Sequence, residues 1–241
     1  RDAIAAGKVV GPRIIAAGGV AAHGGHGDIH GYRPEILDLF RSPTLCSGAD
    51  DCARAVRVAV QHGADIIKTA STGGVMSNTA AGLGQQMSDA ELIAIVDTAH
   101  RLGRKVAAHA HGTDGVNAAL RAGVDSVEHG TYLDAESIRL FKAKGSYLVP
   151  TLLAGDTVAR QAETADWMPA PVRAKARTVG PLMVAALRRA HEGGVRIAFG
   201  TDSAVSKHGE NAREFALMVK AGLTPLETIK SATVWAAAHA G

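Results

Sequence analysis

The sequence predicts an α/β fold of the (β/α)8 TIM-barrel type, with a parallel sheet, outer helices and six of the eight β/α units present. Two observations favour this class. Short apolar strand patterns alternate with longer amphipathic helix patterns along residues 1–241, which is typical of a parallel sheet. Links from helix to strand take one to three residues, whereas several links from strand to helix are long and rich in Gly, His, Asp and Ser, as on the functional face of a barrel.

Short apolar runs that follow turn residues predict the strands. The first run follows Gly11-Pro12, because proline cannot continue a helix interior. Four others begin one or two residues after a glycine that ends a helical pattern, at Gly63, Gly103, Gly123 and Gly194. Six strands are predicted in all, at residues 13–18, 65–69, 105–109, 125–129, 147–151 and 195–200.

Capping signals and apolar spacing predict the helices. Ser88 and Glu91 form a capping box that begins one helix, and Gly103 ends it in the left-handed conformation. Helices are predicted at residues 49–62, 88–102, 113–122, 134–144, 170–193, 211–221 and 225–238, with residues 1–10 as the last turns of another. Long loops are predicted at residues 19–47, from residue 71 onward, and at residues 152–169. Because the sequence opens inside a helix, we expect two β/α units to precede this single barrel domain, residues 1–241.

Composition excludes some classes of partner. Apolar residues make up 46% and charged residues 20%, as in ordinary globular proteins. The net charge is +3, basic residues form no block and aromatic residues are only 4%, so neither a nucleic acid nor a membrane surface is an expected partner. A small-molecule substrate is expected, and a homo-oligomer is compatible with the sequence.

Cysteine usage and the first residue bear on the compartment. Cys46 and Cys52 form no metal or redox motif and are interpreted as free thiols of a reducing compartment, although two residues do not settle the point. The compartment is therefore not determined by the sequence, with a cytoplasmic location favoured. The sequence begins with Arg1 rather than Met, so a targeting segment upstream is neither indicated nor excluded.

Four side chains lie at or just beyond the ends of predicted strands, namely Lys68, His109, His129 and Asp202. If the strands are parallel neighbours, these groups meet at one rim, and imidazole and carboxylate are common ligands of zinc-like ions. His111 follows His109 by two positions, so both rings point to the same side of the strand. One of the two is expected to bind a metal and the other to contact substrate.

Lys68 ends an apolar strand, where an unpaired lysine is unusual. Three interpretations are open: an ammonium that reaches solvent at the barrel mouth, a Schiff-base nucleophile as in aldolases, or a lysine carboxylated by carbon dioxide that bridges two metal ions. The two histidines favour the third. Asp202 could be a helix N-cap, or a carboxylate that binds metal and carries a proton, and the two roles are compatible. Glu128 is expected to point away from His129, in a structural role.

Six motifs in order resemble the amidohydrolase superfamily, and more narrowly its imidazolonepropionase-related branch, which contains Xaa-Pro dipeptidases and zinc carboxypeptidases. They are Gly11-Pro-Arg-Ile, Gly24-Gly-His-Gly-Asp28, Ile66-Ile-Lys-Thr-Ala-Ser-Thr-Gly-Gly74, Val106-Ala-Ala-His-Ala-His-Gly112, Val127-Glu-His-Gly130 and Gly200-Thr-Asp-Ser203. The resemblance covers nearly the whole chain. It departs in two respects, since the His-x-His pair of the family's first strand and the small β-sandwich domain are absent.

The resemblance implies a set of roles. Lys68 would be the carboxylated bridging ligand, and His109 and His129 would hold one of one or two divalent ions, with zinc expected. Asp202 would bind the other ion and act as the catalytic proton shuttle. His26, His111 and Tyr132 would contact substrate.

The implied reaction is hydrolysis of a C–N amide bond by metal-bound hydroxide, in an Xaa-Pro-like dipeptide or an N-acyl amino acid. The same metal site would also serve a lactone, organophosphate or imidazolone-ring hydrolase. A further alternative is a catalytically impaired, truncated barrel.

Overall fold

A six-stranded parallel sheet organises the chain in the computed structural model, which describes residues 1–77 and 82–241. Its order is β1-β4-β5-β6-β7-β8, formed by Ala17–Gly19, Ile66–Ala70, Lys105–Ala110, Ser126–His129, Tyr147–Val149 and Arg196–Ile197. Two further strands, β2 (Ala21–Ala22) and β3 (Leu45–Cys46), pair separately. The predicted α/β class, parallel sheet and six-unit alternation are confirmed.

The helices cover the sheet and connect its strands. They are α1 Asp2–Ala5, α2 Pro34–Phe40, α3 Ala49–Gln61, α4 Asp89–Arg101, α5 Thr113–Ala122, α6 Ala135–Lys144, α7 Leu152–Thr164, α8 Ala170–Glu192, α9 Arg213–Ala221, α10 Pro225–Ala232 and α11 Val234–Ala240. The capping box at the start of α4 is formed as predicted, with Ser88 accepting from the Glu91 N–H. No helix in the described ranges combines the length and apolarity that crossing a membrane requires.

Strand register places the predicted site residues at one end of the sheet. Ala70 lies beside His109, and Ala110 lies beside His129, so successive strands are staggered by one residue. The side chains that follow each strand therefore meet at the carboxyl end, as in parallel α/β barrels. The long loop after β4 lies at this end, and its residues 78–81 fall outside the described residues.

The loop predicted at residues 152–169 is wrong for most of its length, because helix α7 occupies Leu152–Thr164. Leu152, Leu153, Val158 and Ala162 are buried. The apolar face of α7 packs on α8, and the two backbones approach closely where Gly155 meets Gly180. A Cβ added to Gly180 would lie 2.9 Å from the Gly155 carbonyl oxygen. Tertiary packing therefore decides this helix, although its sequence is rich in small and polar residues.

Other boundaries also differ from prediction, and the helix predicted at residues 1–10 is limited to α1. The buried strand predicted at residues 13–18 is displaced to β1, and Ile14 and Ile15 before it are exposed. The helix predicted at 225–238 is divided into α10 and α11 at Thr233, whose backbone is not helical. The long loop predicted at 19–47 contains β2, α2 and β3.

Cys46 and Cys52 form a disulfide, which corrects their interpretation as free thiols. The end of β3 lies against the first turn of α3, and this brings the two Cα atoms to 4.9 Å. That separation is within the range that a disulfide spans. The bond ties the two-stranded β2–β3 unit to α3.

Candidate metal centre and active site

Three buried histidines form a cluster at the carboxyl ends of β5 and β6. The potential ligand nitrogens of His109, His111 and His129 all lie within 4.8 Å of one another. His129 Nε2 is 3.0 Å from His109 Nδ1, and the rings of His111 and His129 stack with their centres 4.7 Å apart. Three imidazole nitrogens at such separations have the composition of a zinc-type site.

Hydrogen bonds fix the orientation of each ring. His109 Nε2 donates to the Gly73 carbonyl at 3.2 Å, so its Nδ1 carries a lone pair towards the cluster. His129 Nδ1 is 2.6 Å from Thr151 Oγ1, and His111 Nδ1 is 2.7 Å from Thr131 Oγ1. Outer-shell partners of this kind orient metal-binding histidines and select their tautomers.

Burial keeps these imidazoles neutral. Desolvation lowers the pKa of His109, His111 and His129 well below the usual value, and the neighbouring histidines and Lys68 lower it further. The neutral ring is the form that binds a metal ion. The cluster is therefore ready to hold a divalent cation near neutral pH.

His129 adopts a backbone conformation that residues other than glycine rarely take. Its φ is 70°, and Thr151 and Asp202 share this left-handed conformation at φ 48° and 52°. The conformation interrupts the regular alternation of β6 at His129. As a result, Glu128 and His129 line the same cavity, and the prediction that Glu128 points away in a structural role is wrong.

Lys68 and Glu128 form an ion pair inside that cavity. The other oxygen of Glu128 accepts a hydrogen bond from Ser126 Oγ at 2.8 Å. The Lys68 amine therefore pairs with a carboxylate from β6, the second strand along the sheet. The Lys68 side chain is 38% exposed, and its role as a solvated ammonium, a Schiff-base nucleophile or a carboxylated ligand stays a prediction.

A cavity of about 490 Å³ brings the four predicted metal ligands together. Lys68, His109, His129 and Asp202 all line it, and His26 joins them. Burial raises the pKa of Asp202, which the positive charge of Lys68 partly offsets. Asp202 is not a helix N-cap, because α9 begins only at Arg213 with Ala212 before it.

His26 and His111 lie where substrate contacts were predicted, whereas Tyr132 does not. The His26 ring stacks on His109 at 4.1 Å between centres, and its Nδ1 is 2.6 Å from Ser77 Oγ. Tyr132 contributes backbone groups instead, its N–H donating to the His111 carbonyl at 3.0 Å. Its side chain lines neither this cavity nor the second one described below.

Glu214 fixes the start of α7 next to the histidine cluster, and this role was not predicted from the sequence. Its two carboxylate oxygens accept the N–H groups of Leu152 and Leu153, at 2.8 and 2.6 Å, and so cap the start of α7. Thr151 is the N-cap residue of α7, but its side chain makes no capping hydrogen bond. Its hydroxyl bonds His129 Nδ1 instead. Burial raises the pKa of Glu214 to about 7. The sequence does hold one sign that Glu214 is buried: it lies on the apolar stripe of α9, in line with Met218 and Ala221.

A second cavity, of about 280 Å³, opens on the other side of the three histidines. The α7–α8 hairpin and residues 74–76 of the loop after β4 form its far wall. Among the described residues, that wall consists of Gly74, Val75, Met76, Ala154, Gly155, Val158, Val179 and Met183, with Val205 beside Asp202. The polar side chains that line this cavity belong to the three clustered histidines, His26 and Asp202.

Comparison with known proteins agrees with this arrangement. The amidohydrolase family model matches residues 1–241. Ochratoxinase from Aspergillus niger is 35% identical in an alignment 246 residues long that covers 96% of this chain and 50% of that protein. The chain therefore spans about half the length of the curated relatives it matches.

Solved structures extend the similarity to the fold. A crystal structure of a Xaa-Pro dipeptidase with bound methionine in the active site is 41% identical, with a TM-score of 0.91 over 100% of this chain and 60% of that one. Crystal structures of A. niger ochratoxinase and of a prolidase complexed with N-methylphosphonate-L-proline give TM-scores of 0.85 and 0.87 at 34% and 32% identity. They cover 100% and 99% of this chain, and 57% and 60% of theirs. Together with the family match over its whole length, these similarities show that the chain belongs to the amidohydrolase family.

Proposed function

We propose that this chain carries the site of a metal-dependent hydrolase that cleaves the C–N amide bond of an Xaa-Pro-like dipeptide or an N-acyl amino acid. The observation that carries the proposal is the buried cluster of three neutral histidines, which shares a cavity edge with Lys68, Glu128 and Asp202. Family membership supports amide hydrolysis, as do the relatives described as a Xaa-Pro dipeptidase and an ochratoxinase.

The residues present fit a divalent ion, with zinc expected from the nitrogen ligands. His109 and His129 would hold it, and His111 lies close enough to be a third ligand rather than a substrate contact. Such an ion, when bound, polarises an amide carbonyl and lowers the pKa of a water molecule. Asp202, whose pKa is raised by burial, would receive a proton and pass it to the departing amine.

Carboxylation of Lys68 is part of the proposal. A carboxylated lysine would be an anion next to the Glu128 carboxylate, and like charges at short range repel. We therefore expect carboxylation only when a cation lies between the two groups. Metal content that rises with added bicarbonate in the full chain, and not in Lys68→Met, would support this role.

The decisive experiment combines metal analysis with a substrate panel on the purified full chain. We expect a bound divalent ion and hydrolysis of Xaa-Pro dipeptides or N-acyl amino acids. His129→Ala should lose both, whereas the exposed His62→Ala should keep both, as a matched histidine control. Full metal content and activity in His129→Ala would remove the proposal.

His111→Ala separates the two roles open to that residue. Loss of metal identifies a ligand, whereas retained metal with a raised KM identifies a substrate contact. Lactones and organophosphates belong in the same panel. Turnover of these compounds without turnover of any amide would replace the proposed reaction with an ester-type hydrolysis.

A further inference from the structure

The second cavity has the composition of a site for an apolar group. In the described part of the chain, eight apolar residues and glycines form its outer wall, and Val158, Val179 and Met183 within that wall are almost fully buried. The inner wall is the histidine cluster. A group that fills this space therefore lies in contact with apolar side chains on one side and with the candidate metal centre on the other.

The size of the cavity sets the size of its occupant. An apolar cavity of about 150 Å³ is large enough to take benzene. The volume of about 280 Å³ here accommodates a leucine, methionine or phenylalanine side chain with room for part of the backbone that carries it. A charged side chain would lose its hydration on entry without finding a partner among the described residues of the outer wall, which is costly.

Close packing of α7 on α8 fixes the outer wall. A Cβ added to Gly155 would lie 2.6 Å from Met183 Sδ and 3.4 Å from the Gly180 Cα. The absence of a side chain at Gly155 thus allows the Met183 thioether to lie across α7. Met183 has flexible torsions of its own, but its neighbours restrict where it can move.

We propose that this cavity is the subsite for one apolar side chain of the substrate, on one flank of the amide bond that is cleaved. The proposal rests on the proposed hydrolase function and names the substrate class for it: amides of residues such as leucine, methionine or phenylalanine. His26 and Asp202 line both cavities, so the scissile amide would lie between them while the side chain occupies the smaller space.

The first test changes the size of the subsite in opposite directions. Val158→Phe fills the cavity and Met183→Ala enlarges it, while Val219→Phe adds the same ring at an exposed position of α9. Substrates are Xaa-Pro and N-acetyl-Xaa compounds with Xaa as Gly, Ala, Leu, Met, Phe or Lys. The readout is the ratio of kcat/KM for each larger residue to that for alanine, measured separately for the two flanks.

In the parent we expect the ratio for leucine on one flank to exceed that for lysine. Val158→Phe should lower the leucine ratio about tenfold or more, since one methylene in an apolar pocket changes specificity by about 10-fold to 200-fold. Met183→Ala should raise the phenylalanine ratio relative to the leucine ratio, and Val219→Phe should change neither. Ratios that remain constant in both cavity variants, or a parent that prefers lysine on both flanks, would overturn the subsite.

A binding measurement makes the test independent of turnover. Calorimetry on the metal-free full chain should show N-acetyl-L-leucine binding about tenfold or more tightly than N-acetylglycine, because burial of a leucine side chain is worth at least that factor. Val158→Phe should abolish the difference. If no amide is cleaved but this difference is present, the proposed reaction fails and the apolar site stands. If amides are cleaved and the difference is absent, only the subsite fails.

Discussion

The backbone adopts the left-handed conformation at both ends of the six-stranded sheet, but with different types of residue. At the amino end, each of the five helix-to-strand links before β4 to β8 uses a left-handed residue, and each is a glycine: Gly63, Gly103, Gly123, Gly145 and Gly194. At the carboxyl end, the four non-glycine residues with positive φ in the described ranges are found, namely His129, Thr151, Asp202 and Ala204.

This difference separates the requirements of stability from those of chemistry. Glycine takes the left-handed conformation at little cost, whereas other residues lose about 1–3 kcal/mol in sparsely populated backbone regions. A glycine at 129 or 202 would remove the strain and also the imidazole or carboxylate. The carboxyl end therefore keeps non-glycine residues in the left-handed conformation, a cost that the amino end avoids by using glycine, and buried supports such as Glu214 hold them in place.

The largest expected effect on this comparison is the pH dependence of stability that comes from Glu214. The native pKa of Glu214, about 7, lies above its ordinary value of 4.5, so the folded protein binds this proton more tightly than the unfolded chain does. The resulting stability is complete below pH 4.5 and is lost as the pH rises through about 7. The loss amounts to about 3 kcal/mol. Urea unfolding of the metal-free parent and of Glu214→Gln, from pH 4.5 to 8, measures it as the difference between the two proteins.

The comparison with Glu214→Gln is needed because the histidines act in the opposite direction. The lowered pKa of His109, His111 and His129 contributes stability above pH 6.5 that is lost as the pH falls. Both proteins share that loss, so it cancels. A difference between them that does not vary with pH would show that Glu214 stays ionised in the folded chain.

The next effect concerns Thr151, one of the strained residues. Thr151→Ala removes the hydroxyl that orients His129 and should weaken binding of the divalent ion about 10-fold to 100-fold, the usual effect of losing an outer-shell partner. Thr151→Ser keeps the hydroxyl at the same backbone position and should bind the ion as the parent does. Competition with a chelator gives both affinities, and equal weakening in the two variants would assign the effect to packing.

The smallest effect tests the amino end. Gly123→Ala places a Cβ 3.7 Å from Val96 Cγ1, an ordinary contact, so its cost comes from the backbone alone. We expect the free energy of unfolding to fall by about 1–2 kcal/mol, with metal affinity unchanged. Denaturant unfolding and metal titration of the same samples measure the two quantities. A changed metal affinity would break the separation between the two ends.

Local signals made much of the fold predictable from the sequence. The Ser88 capping box and the glycines that end helices act over a few residues, so their effects can be read without the tertiary structure. The convergence of Lys68, His109, His129 and Asp202 on one cavity followed from the direction of parallel strands. The metal-binding and catalytic roles of these residues remain predictions.

The features that sequence reasoning missed depend on distant contacts. Alternation along a strand predicts where Glu128 points only while the backbone stays extended, and His129 departs from that conformation. The pairing of Cys46 with Cys52 depends on how β3 meets α3. Helix α7 owes its burial to α8 and its first-turn hydrogen bonds to Glu214, neither of which its own residues reveal.

The Glu214 contact has a consequence for anyone who would transplant this centre into a smaller scaffold. The three clustered histidines and their two threonine partners all lie between residues 109 and 151, so this segment could be excised as one unit. The acceptor for the amide groups of Leu152 and Leu153 comes from 62 and 61 positions further along the chain. A graft must therefore carry α9, or a substitute anion in its position, to reproduce the setting of His129.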